Sequence, residues 1–271
     1  MLSHDILPAI GAMKAEEVTK RDVIEIIDEV AKRGAKYRSN RVLALTRSIF
    51  RWGCSEDLIR LDPTQGVRPR TIERPRDRVL SDEEIRKFWR ALNNAPMTFA
   101  VATILRLALV TGQRIGEVAG MTKAEIEFAP PYPVWTLPGK RTKNRLVTRI
   151  PLSPLATELL EAAITEAGDS SYVFPSRASD APISAHAATR AIARARAMLG
   201  IDNFRVHDLR RTVATSMASL GINPYTISLV LDHVSVSKGT VTSAVYVRYS
   251  FDQEKRQALI TWANHLESLI R

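Results

Sequence analysis

A stretch that a helix cannot cross divides this 271-residue sequence into two unequal parts. Between residues 62 and 78, three prolines and a glycine interrupt any helix, because proline lacks a main-chain N–H and glycine is conformationally permissive. These breakers are Pro63, Gly66, Pro69 and Pro75. Five arginines make the same stretch basic: Arg68, Arg70, Arg74, Arg76 and Arg78. The sequence therefore predicts two domains joined by a basic, extended linker.

The predicted boundaries are a helical first domain over residues 1–72, the linker over residues 73–79 and a second domain over residues 80–271. A chain of this length fits either one large domain or two. A basic linker is often only soluble and flexible, but one that joins two basic domains can also follow a phosphate backbone. We favour the second interpretation.

The charge of the chain indicates its class of partner. There are 39 Lys and Arg against 29 Asp and Glu, a net charge of +10, and this excess favours a polyanion through counterion release. A basic amphipathic membrane binder is the rival. The basic residues, however, are spread along the whole chain and do not form one terminal helix. Nucleic acid is therefore the predicted partner.

Other classes of protein are disfavoured by features that the sequence lacks. Cys54 is the only cysteine, so no internal disulfide can form and a reducing compartment fits. The first residues lack a basic region followed by an apolar core, and the apolar run 99–110 is cut by Arg106 and too short to span a bilayer. The five histidines lack ligand-like spacing. We expect a cytoplasmic protein without a membrane anchor, a metal site or a cofactor.

Residues 1 to about 70 have helical patterns. Thr19 and Asp22 predict a capped helix start, and the apolar stripe that follows stops before Gly34. A second helix is predicted from about Ser39, with one polar, basic face. That face is either simply solvated or lies on DNA, where its side chains would contact phosphates or base edges. The candidate contacts are Arg38, Asn40, Arg41 and Arg47.

Capped helix starts recur in the second domain, at Ser81 with Glu84, at Ser153, at Ser184, and at Asn223 followed by Pro224. An apolar helix is predicted from about residue 97 to residue 110, and it is expected at the centre of the core. The helix after Ser184 presents Arg190 and Arg194, which we expect to contact the DNA backbone.

One region has the pattern of a β-hairpin. Residues 134–137 and 146–150 flank a tight basic turn that carries Lys140 and Lys143. Lysines on exposed turns usually serve solubility, so neither merits a role by itself. With the helices on both sides, the sequence predicts a mainly α fold with a small β-hairpin or sheet, of the α+β class.

The segment that begins at His207 carries the clearest chemistry. It starts as a helix, so His207 and Arg210 share a face of its first turn. Arginine matches the geometry of a phosphate, and histidine titrates near neutrality. Upstream, Gly112 is predicted to end the apolar helix, and Arg114 and Glu117 share a face of the next one. Each pair alone could be an ordinary surface contact, whereas together they suit phosphate chemistry.

In their order along the chain, residues 111–117, 207–215 and 231–233 and Tyr246 resemble the tyrosine recombinases of the phage-integrase family. The first part resembles the latter portion of that family's helical core-binding domain, and the second part its catalytic domain. The longer spacing after His233 resembles a subgroup of temperate-phage and genomic-island integrases. Because relatives have a further helix before this chain starts, the first domain looks truncated at its beginning.

The resemblance implies a catalytic set, which is Arg114, Lys143, His207, Arg210, His233 and Tyr246, with Glu117 orienting Arg114 or His207. The arginines and His233 would stabilise the phosphoryl group in place of a metal ion. Tyr246 would attack the scissile phosphorus to form a 3′-phosphotyrosyl link, Lys143 would protonate the leaving 5′ oxygen, and His207 would transfer a proton at the nucleophile. Lys140 is then left as a DNA contact.

The resemblance also implies the biological setting, which is integration or excision of a mobile element at double-stranded attachment sites. The protein would be encoded by a bacterium or phage, associate with the nucleoid, form a tetramer on DNA and work with DNA-bending or excision factors. Two other functions stay open: a relaxing topoisomerase with the same chemistry, and a DNA-binding relative without activity. Tyr249, one helical turn after Tyr246, is the alternative nucleophile.

Overall fold

A computed structural model describes residues 1–74, 76–129, 131–142, 145–177, 181–232 and 249–271. By its internal contacts the chain divides into two compact units, Met1–Arg76 and Asp77–Arg271. Each unit encloses a hydrophobic core of its own. The predicted α+β class is confirmed, because the described residues are mainly helical and include one small antiparallel sheet.

The first unit is helical. After a short π-helical turn at Leu2–Ile6, its helices are α1 (Leu7–Ile10), α2 (Lys20–Lys32) and α3 (Lys36–Ser55). The predicted capping box is confirmed, since the Thr19 hydroxyl accepts from the Asp22 main chain and the Asp22 carboxylate accepts from that of Thr19. α3 starts three residues before the predicted Ser39, at Lys36.

The second unit is built around a buried apolar helix. Its helices are α4 (Asp82–Asn94), α5 (Phe99–Thr111), α6 (Ile115–Ala119), α7 (Pro154–Glu166), α8 (Ala185–Leu199), α9 (Val206–Ser219), α10 (Pro224–Val230) and α11 (Asp252–Ile270). α5 is buried from Val101 onward, as its apolar sequence predicts. It packs against α6, α7, α8, α9 and α11.

The predicted caps are mostly confirmed. The hydroxyls of Ser81 and Ser153 and the amide oxygen of Asn223 each accept a main-chain N–H at the start of α4, α7 and α10. Ser184 precedes α8 as predicted, but no side-chain capping bond forms there. Gly112 ends α5 in the left-handed region, with φ at 68°.

The β-hairpin is confirmed and gains a strand. β2 (Val134–Leu137) pairs with β3 (Thr148–Pro151), and β1 (Ile126–Glu127) adds to the other edge of β2. β3 begins two residues after the predicted Leu146, because Leu146 and Val147 are exposed and outside the ladder. Trp135, fully buried, faces Ile126 on one side and Ile150 on the other.

The tail helix α11 completes the core of the second unit. It buries Leu259, Trp262, Leu266 and Leu269, and the Trp262 indole N–H donates to the main-chain oxygen of Leu109 at 2.9 Å. An ion pair also joins α11 to the sheet, because Asp252 lies 2.7 Å from Nε of Arg149. None of the helices in the described ranges combines the length and apolar character needed to cross a membrane.

Candidate active site

The turn between α5 and α6 sets the first arginine in place. Gly112 closes α5 in a backbone conformation that favours glycine, and a Cβ there would lie 2.9 Å from Cδ2 of Leu231. Two residues later, Arg114 forms the N-cap of α6, and its main-chain N–H donates to Oε2 of Glu117 at 3.1 Å. The start of α6 thus has a fixed geometry beside the end of α10.

Arg114 is held by two acidic residues. Its Nη1 lies 2.7 Å from Oε1 of Glu117, which is itself buried, and 3.6 Å from Oδ2 of Asp232. Nη2 donates to the main-chain oxygen of Asp232 at 3.2 Å. About a quarter of the Arg114 side chain, 27%, stays exposed. The guanidinium is therefore oriented by protein groups and still accessible from solvent.

Arg210 is buried on α9 and binds two main-chain oxygens that are distant in sequence. Its Nη1 donates to the oxygen of Gly112 at 2.9 Å, and its Nη2 donates to that of Leu231. Burial, with the positive charge of Arg114, lowers the pKa of Arg210 to about 10, against the opposing effect of Glu117 and Asp232. The guanidinium remains protonated at neutral pH.

Three consecutive carbonyls at the end of α10 are bound by side chains of this site. The oxygen of Val230 accepts from the Gln113 amide at 2.7 Å, that of Leu231 from Arg210, and that of Asp232 from Arg114. The two guanidiniums consequently bind adjacent peptide groups. Gln113 was absent from the predicted site, and its only sequence signal is its place between Gly112 and Arg114.

His207 lies one turn before Arg210 on α9 and is exposed. Desolvation by the surrounding protein, together with the guanidiniums of Arg211 and Arg210, lowers the pKa of its imidazole below the usual 6.5. The neutral ring is therefore favoured near neutral pH, as a proton acceptor requires.

Three residues of the predicted catalytic set, Lys143, His233 and Tyr246, lie outside the described residues. The alternative nucleophile, Tyr249, is described and is 54% exposed. Its ring packs edge-on against Phe251, with centroids 4.9 Å apart. The surrounding protein and the carboxylate of Glu254 raise the pKa of its phenol, which disfavours the phenolate.

The turn of the hairpin is fixed through Arg141. Its Nη2 donates to the main-chain oxygen of Glu117 at 2.6 Å, and its Nη1 pairs with the carboxylate of Glu125. The neighbouring Lys140, one of the predicted DNA contacts, is exposed. Arg141 was absent from the predicted site, although the residue was part of the basic turn that the sequence indicated.

The predicted DNA contacts of α3 all have intramolecular partners. Arg38 binds the buried Asp5 at 2.7 Å, and Arg47 donates to the main-chain oxygen of Val67. Further partners belong to the segment after α3: Asn40 binds Arg70 and Thr71, and Arg41 lies 2.8 Å from Glu73. The side chains of Arg38 and Arg41 nevertheless remain 48% and 66% exposed.

On α8 of the second unit, Arg190 and Arg194 are exposed.

Within the described ranges, no group of three or more histidine, cysteine, aspartate or glutamate side chains is placed to hold a metal ion.

Two family profiles match the sequence. The phage integrase family matches residues 78–251, well over half of the chain, and the phage integrase central domain matches residues 1–70. The chain belongs to the phage integrase family. The resemblance to this family that the sequence motifs indicated is therefore confirmed.

Individual proteins similar in sequence to this chain include integrases and tyrosine recombinases. The chain is 26% identical over 274 residues to the prophage integrase IntZ of Escherichia coli K12, covering 99% of this chain and 65% of that protein. It is 27% identical over 255 residues to a tyrosine recombinase of Pseudothermotoga lettingae, covering 91% of this chain and 83% of that protein. The chain thus spans about two thirds of the length of IntZ.

The fold has solved counterparts. A lambda integrase fragment, residues 75–356 in its own numbering, determined as a dimer bound to a COC′ core site, superimposes with a TM-score of 0.67 at 21% identity. The match covers 86% of this chain and 85% of that fragment. At this identity the similarity establishes the fold and no more.

Proposed function

We propose that this chain is a site-specific tyrosine recombinase that breaks and rejoins DNA strands to integrate or excise a mobile element. The observation that carries the proposal is the arginine pair: Arg114 and Arg210 bind adjacent carbonyls, and two acidic residues, Glu117 and Asp232, lie beside them. Like charges this close repel each other, so a phosphate bound between them relieves the repulsion. Guanidiniums with fixed geometry then stabilise the charge that grows on the phosphoryl oxygens.

The chemistry is proposed from the resemblance to the family, together with this arginine pair. The phenol oxygen of Tyr246 attacks the scissile phosphorus, and neutral His207 accepts the phenolic proton. The bond from phosphorus to the 5′ oxygen breaks, and Lys143 donates a proton to that oxygen. His233 adds a hydrogen bond to the phosphoryl group. Because a phosphodiester is exchanged for a phosphotyrosine of similar energy, a 5′ hydroxyl of another strand reverses the step and rejoins the DNA.

The DNA contacts are proposed for both units. Residues 1–72 would form a core-type DNA-binding domain, residues 73–79 a linker, and residues 80–271 the catalytic domain. Exposed cations support this assignment: Lys140, Arg190 and Arg194 in the catalytic domain, and the accessible parts of Arg38 and Arg41 in the first. Asn40 and Arg47 would position the segment after α3, with DNA contact as a second role.

The assembly is proposed from the relatives. Solved structures of lambda integrase include a dimer on core-site DNA and a tetramer on a Holliday junction. We propose that this chain likewise pairs two attachment sites as a tetramer, in the cytoplasm of a bacterial host and with DNA-bending or excision factors. A cyclic, head-to-tail arrangement would bring four active sites to one junction.

The test is covalent capture of DNA. A nicked duplex carrying the junction at the end of the mobile element releases a short leaving fragment, so cleavage traps the protein on DNA. Wild-type protein should give a slow-migrating adduct on a denaturing gel, which Tyr246→Phe should lose and Tyr249→Phe should keep. If wild-type protein binds this duplex without forming an adduct, the proposal is wrong. Relaxation of supercoiled plasmid lacking the site would instead favour a topoisomerase.

A further inference from the structure

Asp232 brings a second carboxylate to Arg114, in a contact unlike that of Glu117. Its Oδ2 lies 3.6 Å from Nη1 of Arg114, whereas Oε1 of Glu117 lies 2.7 Å from the same nitrogen. A hydrogen bond between nitrogen and oxygen measures about 2.7–3.2 Å, so the Asp232 carboxylate is too distant to form one. Glu117 and the main-chain oxygen of Asp232 orient the guanidinium by hydrogen bonds. The Asp232 carboxylate therefore acts on Arg114 through its charge.

The backbone at Asp232 does not require this side chain. The residue follows α10 with φ at 49°, in the left-handed region. Glycine adopts this conformation without strain, and asparagine adopts it about as readily as aspartate does. The hydrogen bond from Arg114 goes to the main-chain oxygen, which every residue has. Neither the turn nor this bond consequently explains a carboxylate at position 232.

What the carboxylate changes is the charge of the site. Two guanidiniums, of Arg114 and Arg210, face two carboxylates, of Glu117 and Asp232, so the four charges cancel. The Asp232 side chain is only 12% exposed, and water therefore screens its charge weakly. A phosphodiester is an anion as well, and it meets the Asp232 carboxylate at the guanidinium that it has to bind.

We propose that Asp232 restrains the arginine site, because its carboxylate competes with phosphate for Arg114. The inference depends on the proposed function, in which the arginine pair holds the scissile phosphate. Glu117 and Asp232 then have opposite effects, although both are acids beside the same guanidinium. Glu117 orients Arg114 and supports cleavage, whereas Asp232 weakens phosphate binding and slows cleavage.

The first test measures sulfate binding in the absence of DNA. Asp232→Asn keeps the shape of the side chain and suits the left-handed backbone, but it removes the charge. The rise in melting temperature with sulfate concentration gives the dissociation constant. We expect this constant to be about three- to tenfold lower than in wild type, the effect of removing one charge about 6 Å from the anion in a partly screened site.

Asp57→Asn is the matched control for this test. Asp57 belongs to the first unit, is exposed and has a φ of 55°, so the variant removes the same charge at a similar backbone conformation. It should bind sulfate as wild type does. Asp232→Gly covers a loss of folding in the asparagine variant, and it should also bind sulfate at least about threefold more tightly than wild type. Binding equal to that of wild type, or weaker, in the folded Asp232 variants would overturn the inference.

The second test follows cleavage of the nicked duplex at a DNA concentration below saturation. Asp232→Asn should form the covalent adduct about three- to tenfold faster than wild type. Glu117→Gln removes the same charge from the carboxylate that hydrogen-bonds Arg114, and it should form the adduct more slowly. Slower cleavage by both variants would show that Asp232 supports Arg114 as Glu117 does, which overturns the inference and leaves the proposed function intact. A wild type that forms no adduct overturns the proposed function, while the sulfate comparison still decides this inference.

Discussion

Oε1 of Glu117 lies 2.7 Å from Nη1 of Arg114, across the first turn of α6. The same carboxylate caps the helix, because its second oxygen accepts the main-chain N–H of Arg114 at 3.1 Å. Glu117 is buried, whereas Arg114 stays partly exposed. Glu117 therefore orients the guanidinium, while about a quarter of the Arg114 side chain remains accessible from solvent.

Glu117→Gln tests this arrangement with little change in shape. The amide keeps a hydrogen bond to Arg114 but loses the charge, and a charge-assisted bond contributes about 1.5–3 kcal/mol. We expect cleavage to slow about 10- to 100-fold, with DNA affinity changed by less than threefold, as measured by adduct formation and by gel shift. Glu127→Gln, at an exposed position of β1, is the matched control. Equal rates for the two variants would contradict the role of Glu117.

Anion binding at the arginine pair should be detectable without DNA. An anion that binds the folded protein stabilises it by mass action, so sulfate at about ten times its dissociation constant should raise the melting temperature by about 2–5 °C. Arg210→Lys should lose most of this rise, because an ammonium lacks the fork that reaches Gly112 and Leu231. Arg90→Gln, exposed on α4, should keep it and controls for general salt effects. Equal rises in all proteins would argue against an anion site here.

The pKa of His207 should depend on Arg211. Desolvation and the two neighbouring guanidiniums lower this pKa below 6.5, so the neutral ring persists to lower pH than in the unfolded chain. The stability that this shift contributes is present above the unfolded value of about 6.5 and is lost as the pH falls from there through the lower, folded pKa. Arg211→Gln removes a positive charge and should move the His207 titration to higher pH, as measured by NMR of ring-labelled histidine and assigned with His207→Gln. An unchanged or lower midpoint would contradict the assigned cause.

Local signals in the sequence were sufficient for much of the fold. The caps at Thr19, Ser81 and Asn223 and the stop at Gly112 were predictable because each depends on residues within one turn. β1 was missed, since a two-residue strand has no pattern of its own and exists through its pairing with β2.

The sequence indicated candidate residues for the site but not all of the contacts that hold the described ones in place. Spacing alone predicted that Arg114 and Glu117 share a helix face, and that His207 and Arg210 do. The main-chain oxygens that bind Arg210 could not be predicted. Gly112, for example, lies 98 positions away in the sequence, at the end of another helix. The basic face of α3 also did not reveal its intramolecular partners: Asn40 and Arg41, predicted as DNA contacts, both bind the segment that follows α3. A basic pattern cannot tell whether its partner is a nucleic acid or the chain itself.

Asp5 should be essential to the first unit. Its buried carboxylate binds Arg38 at 2.7 Å and Arg33 at 2.9 Å. Desolvation raises its pKa, but the bonds and charges of the two arginines outweigh this and hold the pKa below the usual value of 3.8. Its stabilisation is therefore present above the unfolded pKa and is lost as the pH falls through the lower, folded one. Asp5→Asn should destabilise this unit by about 1–3 kcal/mol at neutral pH.

Hydrogen exchange of the full chain, followed by mass spectrometry, measures the effect of Asp5→Asn separately in the two units. Faster exchange should be confined to peptides of residues 1–76, while peptides of α5 stay protected. Glu16→Gln, at an exposed position, serves as the control and should leave both patterns unchanged. Protection in α2 and α3 equal to that of wild type would show that Asp5 contributes little.

The identity of the nucleophile is the most direct test of the proposed chemistry. Trypsin cuts after Lys238, Arg248 and Lys255, so Tyr246 falls in peptide 239–248 and Tyr249 in peptide 249–255. The covalent adduct is digested with nuclease and trypsin, and mass spectrometry locates the remaining nucleotide. We expect it on peptide 239–248, joined through a 3′-phosphotyrosine at Tyr246. A nucleotide on peptide 249–255, or an adduct through any residue other than tyrosine, would contradict the assignment.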